Sequence, residues 1–223
     1  MTFSIVARCP RSGRFGAAVA SSSPAVASRC IRARSNVGAA VSQNITDPAL
    51  GVLALDLMAQ GLTPEQALQR LREQPHIEYR QLMAIDMRNP PVAFTGASAL
   101  GTLASAVGEH AACAGNMLAS TDVPEAMLRA FERNEGSLAE RLMQAMLAGQ
   151  AAGGEEGPVH SAGLLVVGEL SWPSVDLRLD WVDGGPVEAL YEVWKLYEPQ
   201  EQAYITRAKD PRFAPSFGVP GNL

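Results

Sequence analysis

Apolar positions along the chain fall first into short, closely spaced runs and only later at helical spacing. Thr2 to Ala7 (TFSIVA) is a β-prone run, Cys9-Pro10-Arg11-Ser12-Gly13 carries turn residues, and Phe15 to Ser21 (FGAAVAS) is a second run. Together they predict a β-hairpin beginning at Thr2. A further strand is expected over Val37 to Gln43 (VGAAVSQ). Gly and Ala dominate these segments, which lets a neighbouring layer approach closely. The period then changes. A helix is expected from Pro48 to Gln60, stopped by Gly61, and Thr63-Pro64-Glu65-Gln66 opens another with a Thr cap, Pro at the first helical position and an early acid. Ala67, Leu68 and Leu71 form the apolar stripe of that second helix.

Strands are predicted next over Arg80 to Asp86 and Val92 to Thr95, and near His110 to Asn116. A second helix pair follows at Val123 to Arg133 and Leu138 to Ala148, with Asp122 and Ser137 as capping candidates and Gly136 and Gly149 as breakers. Two strands, Ser161 to Val167 and Ser174 to Trp181, precede a last helix from Pro186 to about Tyr197. Strands, helix pair, strands, helix pair, strands, helix: this order predicts an α+β layered domain of two stacked, mainly antiparallel sheets covered by helices. A single domain is expected over residues 1–206, with an extended, proline-rich tail over 207–223.

Composition changes this picture little: 47% hydrophobic and 18% charged residues describe an ordinary globular chain. No apolar run approaches the roughly 20 residues that span a bilayer, and no signal-peptide pattern opens the chain, so a cytoplasmic protein without a membrane partner is expected. Cys9, Cys30 and Cys113 are widely spaced and read as buried, reduced thiols. His76, His110 and His160 stand far apart, so neither a metal nor another cofactor is expected.

Charge is distributed unevenly. Residues 1–46 hold no acid but six arginines (Arg8, Arg11, Arg14, Arg29, Arg32 and Arg34), a segment charge of +6 against −11 for the remainder. The acidic whole argues against nucleic acid as a partner. A rim that attracts a carboxylate-bearing small substrate suits the planar arginine fork, with Arg8, Arg29 and Arg32 as candidates. Six solvated arginines on hairpin edges and loops are the competing reading.

Among possible nucleophiles, Thr2 stands out. Removal of Met1 would leave its hydroxyl beside its own α-amine, whose ordinary pKa of about 7.7–8.0 suits a general base. Threonine activated by an N-terminal amine is an established form of covalent catalysis. No G-x-S-x-G elbow, phosphate loop or cysteine-protease signature competes. Asn44 and Asn116 each end an expected strand and could donate to an oxyanion or merely cap turns. Asp176 and Arg178, at i and i+2, share a strand face and suggest a structural charge pair. Trp172, Trp181 and Trp194 read as core and interface residues.

The ordered text from Thr2-Phe3-Ser4-Ile5-Val6-Ala7 through Cys9-Pro10, Ser12-Gly13, Gly16 and Val19-Ala20-Ser21 resembles the opening of the domain-of-unknown-function family 1028. Further similar segments are Gly38 to Gln43, Asp47-Pro48, Tyr79-Arg80-Gln81, Phe94-Thr95-Gly96, Gly115-Asn116, Leu138 to Leu142, Ala152-Gly153-Gly154, Ser161-Ala162 and Val175 to Arg178. The resemblance extends to about Leu190. It implies a four-layer αββα sandwich of the N-terminal nucleophile hydrolase superfamily and hydrolysis of an amide bond from Thr2. Asn116 and Ser161 are implied as pocket positions. The family pattern acid-x-Arg-Gly-x-Gln-Ser is replaced here by Glu155 to Ser161, with His160 for glutamine and the arginine missing, which implies a different substrate.

The expectation is therefore an amidohydrolase of a small amide, imide or ureido compound, with Thr2, Asn116 and Asn44 catalytic and Arg8, Arg29, Arg32, Ser161 and His160 binding substrate. The alternative is a non-catalytic small-molecule-binding or assembly module on the same fold. The partners expected are a small-molecule substrate and further copies of the chain in a homo-oligomer.

Overall fold

Residues 1–213 and Pro215 are described by a computed structural model. The chain opens with the expected hairpin, β1 (Thr2–Cys9) and β2 (Arg14–Ser21), closed by a turn in which Gly13 takes positive φ. A short helix α1 (Val26–Cys30) leads into β3 (Ile31–Arg34) and β4 (Gly38–Asn44). Helices α2 (Pro48–Ala59) and α3 (Pro64–Leu71) follow. Asp47 caps α2, and Thr63 and Gln66 form a reciprocal capping box on α3. Strands β5 (Arg80–Ile85), β6 (Val92–Thr95), β7 (Ala104–Val107) and β8 (Ala111–Asn116) precede α4 (Val123–Arg133) and α5 (Leu138–Ala151). Then come β9 (Ser161–Val167), β10 (Val175–Leu179) and α6 (Pro186–Lys209).

Two antiparallel sheets result. One has six strands in the order β10-β9-β2-β1-β8-β7, and the other has four in the order β3-β4-β5-β6. Strand alternation decides the layers. Phe3, Ile5 and Ala7 of β1 point to a core shared with α4, α5 and α6, while Val6 points to a second core shared with Val41 and Met83 of the smaller sheet. Ala40, Leu82 and Ala84 of the smaller sheet face α2 and α3 in a third core. The architecture is an αββα sandwich, and β1, buried along its whole length, runs through its centre. Small residues permit the close layering: a Cβ on Gly163 of β9 would lie 2.3 Å from the Ala27 Cβ of α1.

Four elements depart from the sequence pattern. Helix α1, β3 and β7 are too short to carry a period of their own, so only their neighbours define them. Helix α6 continues past Tyr197 through the internal Pro199 to Lys209. Helix formers on both sides of the proline and packing of Ala203 carry it onward, although Pro199 cannot donate to the preceding turn. Residues 207–209, expected in an extended tail, are thus helical, and residues 211–213 form a 3-10 turn. The remaining tail, apart from Pro215, lies outside the described residues. Asp122 precedes α4 but makes no side-chain cap, whereas Ser137 accepts from the Glu140 N–H and caps α5. Among the described residues no helix is long and apolar enough to cross a membrane.

Candidate active site

Thr2 begins the central strand on the face that looks toward the smaller sheet. A row of buried polar side chains crosses the large sheet there. Thr2 pairs with Asn116 of β8, and Ser21 of β2 pairs with Ser161 of β9. Thr2 Oγ1 lies 3.4 Å from Ser21 Oγ, joining the two pairs. Ser21, Asn116 and Ser161 are fully buried, and Thr2 is 5% exposed.

The hydroxyls converge on one oxygen. Thr2 Oγ1 donates to the Met1 carbonyl at 2.5 Å, and Ser21 Oγ donates to the same carbonyl at 2.6 Å. Ser21 Oγ is also 2.9 Å from Ser23 Oγ, which accepts from Arg29 Nη2 at 2.8 Å. Ser161 Oγ donates to the Ser23 carbonyl at 2.6 Å and accepts from the Val26 N–H at 3.2 Å, pinning the loop between β2 and α1 over the row.

A glutamine-rich network supports the row from the opposite sheet. Gln43 and Gln81 are register partners in β4 and β5, and both are fully buried. Ser4 Oγ donates to Gln43 Oε1 at 2.6 Å, and Gln43 Nε2 donates to Gln81 Oε1 at 2.8 Å. Asn116 Nδ2 reaches the same Gln81 oxygen at 3.2 Å, while Gln81 Nε2 donates to Thr95 Oγ1 and the Gly115 carbonyl, each at 3.0 Å. Asn116 Oδ1 remains buried without a hydrogen-bond partner. Buried polar atoms are normally satisfied, so this oxygen beside the candidate nucleophile is free to accept from a further donor.

Glu155 supplies the other unsatisfied group. It follows Gly153 and Gly154, both at positive φ, which turn the chain out of α5. Bridge pairing with Leu118 then holds its backbone. Its side chain is 4% exposed, and neither carboxylate oxygen makes a hydrogen bond of regular geometry. Burial pushes its carboxyl up to about 7, opposed by the Met1 α-ammonium, Ser22 and His160. His160 stacks on Trp181, with ring centroids 4.2 Å apart, and its Nδ1 lies 3.1 Å from the Val182 carbonyl.

Thr2, Asn116, Ser161, His160 and Arg29 thus gather at one end of the sandwich. Arg8 and Arg32 stand elsewhere, and Asn44 closes β4 beside Gln43 at this end with its side-chain oxygen engaged in a turn. Arg8 lies at the far end of β1, where its guanidinium donates to the carbonyls of Asp86, Asn89 and Glu109 at 2.9, 2.5 and 2.7 Å. Arg32 donates to the Ile31 carbonyl and packs on Gly51 of α2. Asn44, at positive φ, uses Oδ1 to accept from the Ile45 and Leu100 N–H groups, a turn role. Asp176 and Arg178 form a two-point ion pair at 2.7 and 2.8 Å, half-exposed rather than buried, on edge strand β10. Trp194 is core, whereas Trp172 and Trp181 are exposed.

Sequence reasoning missed Ser21, Gln43, Gln81 and Glu155. The two glutamines were detectable in principle, since each stands in phase with inward apolar residues of its strand. Glu155, in a glycine-rich acidic loop, gave no such signal. Among the described residues no group of three or more His, Cys, Asp or Glu could hold a metal ion. An open groove of about 530 Å³, lined by Phe15, Val37, Met58, Asp86 and Asn89 among others, lies at the opposite end of the strands from Thr2.

Known proteins bear on this arrangement. No curated protein matches the chain. The crystal structure of protein SPO2555 from Silicibacter pomeroyi, a protein of the same family model, is similar at 31% identity and a TM-score of 0.82, covering 88% of this chain and 85% of that one. Thiobacillus denitrificans BPH in complex with epoxomicin aligns over 75% of this chain and 98% of that one, at 14% identity and a TM-score of 0.39. The model of the family of unknown function DUF1028 matches residues 2–190, and the chain belongs to that family.

Proposed function

We propose that this protein hydrolyses a small amide through Thr2 once Met1 has been removed. The observation that carries the reading is the pair of hydroxyls, Thr2 and Ser21, meeting the Met1 carbonyl oxygen at the head of the buried central strand. In the proposed cycle Thr2 Oγ attacks the substrate carbonyl carbon, and its proton passes to the Thr2 α-amine. The C–N bond breaks, the proton leaves with the departing nitrogen, and water hydrolyses the Thr2 ester. Ser21 Oγ–H is the donor to the developing oxyanion, with Asn116 Nδ2 a further candidate. Asn116 Oδ1, orphaned opposite Thr2, suits the freed ammonium and would hold it in place. Arg29 acts through Ser23, fixing the loop that carries Ser21's partner. The substrate class is broad: amides, imides or ureido compounds.

Intact mass spectrometry of the purified protein tests the first requirement, with loss of Met1 expected. An activated ester should then add its acyl group to Thr2, mapped by peptide sequencing. Retained Met1 on all molecules, or acylation elsewhere with Thr2 untouched, would overturn the proposal.

A further inference from the structure

Met1 occupies the space beside the candidate nucleophile in a particular way. Its carbonyl receives the Thr2 and Ser21 hydroxyls. Its α-ammonium is near enough to draw the Glu155 carboxyl down, yet it makes no hydrogen bond with it. Its side chain lies over Gly157, where an added Cβ would come within 2.8 Å of the Met1 Cε and 3.3 Å of its Sδ. Leu118 pairing and the Glu156 N–H to Met117 carbonyl bond, at 2.9 Å, hold the Glu155 backbone on both sides.

The chemistry of this arrangement is specific. A methionyl group on the Thr2 nitrogen is the positional isomer of the same group on the Thr2 oxygen, which is the ester that an aminoacyl substrate would leave. We infer that the site takes 2-aminoacyl amides, with the substrate ammonium bound by the Glu155 carboxylate, its carbonyl oxygen held by Ser21 with the carbon facing Thr2 Oγ, and its side chain over Gly157. This rests on the proposed Thr2 chemistry and narrows it. An almost fully buried carboxylate without a regular hydrogen bond is costly unless a cation meets it, and a substrate ammonium entering where Met1 lies would supply one. The reaction balances as hydrolysis: water adds, the amide C–N bond breaks, and an amino acid and an amine or ammonia leave.

L-Methioninamide and 4-(methylthio)butanamide differ only in the α-amine and separate the possibilities. With Met1-free protein, kcat/KM for the first is expected to exceed that for the second by about 100-fold or more. Glu155→Gln should shrink that ratio to within about tenfold, chiefly through KM for the cationic amide. Calorimetry with Thr2→Ala, which cannot turn over, gives a second reading: methioninamide should bind and the deaminated amide should not. Equal handling of both amides, a ratio unmoved in Glu155→Gln, or binding of neither amide to Thr2→Ala would each overturn the inference. Selective binding of methioninamide with no Thr2-dependent turnover would instead sink the hydrolytic proposal and leave the ammonium site standing.

Discussion

At the Arg8 end of β1 a charged side chain enters the gap between the sheets and finds three carbonyls and His110. At the Thr2 end of the same strand the gap is also polar, yet Asn116 Oδ1 and both Glu155 oxygens lack regular partners. The two ends share burial, strand and layer, so burial alone does not distinguish them. Completeness of hydrogen bonding does. The saturated end ties the β4–β5 sheet to the turn before β8, and the unsaturated end leaves polar atoms free to take a further partner.

Measuring both activity and stability at each end tests this contrast most directly. Thr2→Ala should abolish turnover by about 10³-fold or more, roughly 4 kcal/mol of barrier, while changing unfolding free energy by no more than about 1 kcal/mol. A large stability loss with activity retained would reverse the assignment of the two ends. Arg8→Met should do the opposite: about 3 kcal/mol less stable in urea unfolding, because buried carbonyls lose charged donors, with kcat of the folded protein unchanged. Unchanged stability would show that water replaces the guanidinium freely.

Glu155 extends the contrast to pH. Its folded-state carboxyl is raised to about 7, so the stability contributed by its neutral form is fully present below the ordinary carboxylate range and is lost as pH rises through about 7. Relative to the wild type, Glu155→Gln should therefore gain little at pH 4 and up to about 3 kcal/mol at pH 8 in the chain that retains Met1. A gain independent of pH would show that the carboxyl does not titrate there. The smallest effect is expected at the half-exposed Asp176–Arg178 pair, where Asp176→Ala should cost under about 0.5 kcal/mol in the same unfolding measurement.

Much of the architecture is legible in the amino-acid sequence. The hairpin TFSIVA/FGAAVAS, the Thr63 capping box and the amphipathic pair at 123–133 and 138–151 each announce themselves locally, by period and by cap. Thr2 and Asn116 are legible as candidates, one by its place in the chain and the other at a strand end. Asn44 and Arg8 have equally good local credentials, yet the structure puts Arg8 at the far end of β1 and engages the Asn44 side-chain oxygen in a turn. Strand phase explains the division: Asn116 falls on the inward face opposite Thr2, whereas Asn44 ends β4 in a turn with its backbone left-handed.

Local sequence dictates which segments pair or coil, because turn residues, caps and apolar period act within a few neighbours. It also dictates that Thr2 opens a buried strand. Tertiary structure alone decides that Ser21, Asn116 and Ser161 share one row, that Gln43 and Gln81 reach across from the other sheet, and that Glu155 buries its carboxyl without a regular partner. These contacts join residues far apart in the chain, and their energies depend on burial and on which donors arrive. No local pattern records either.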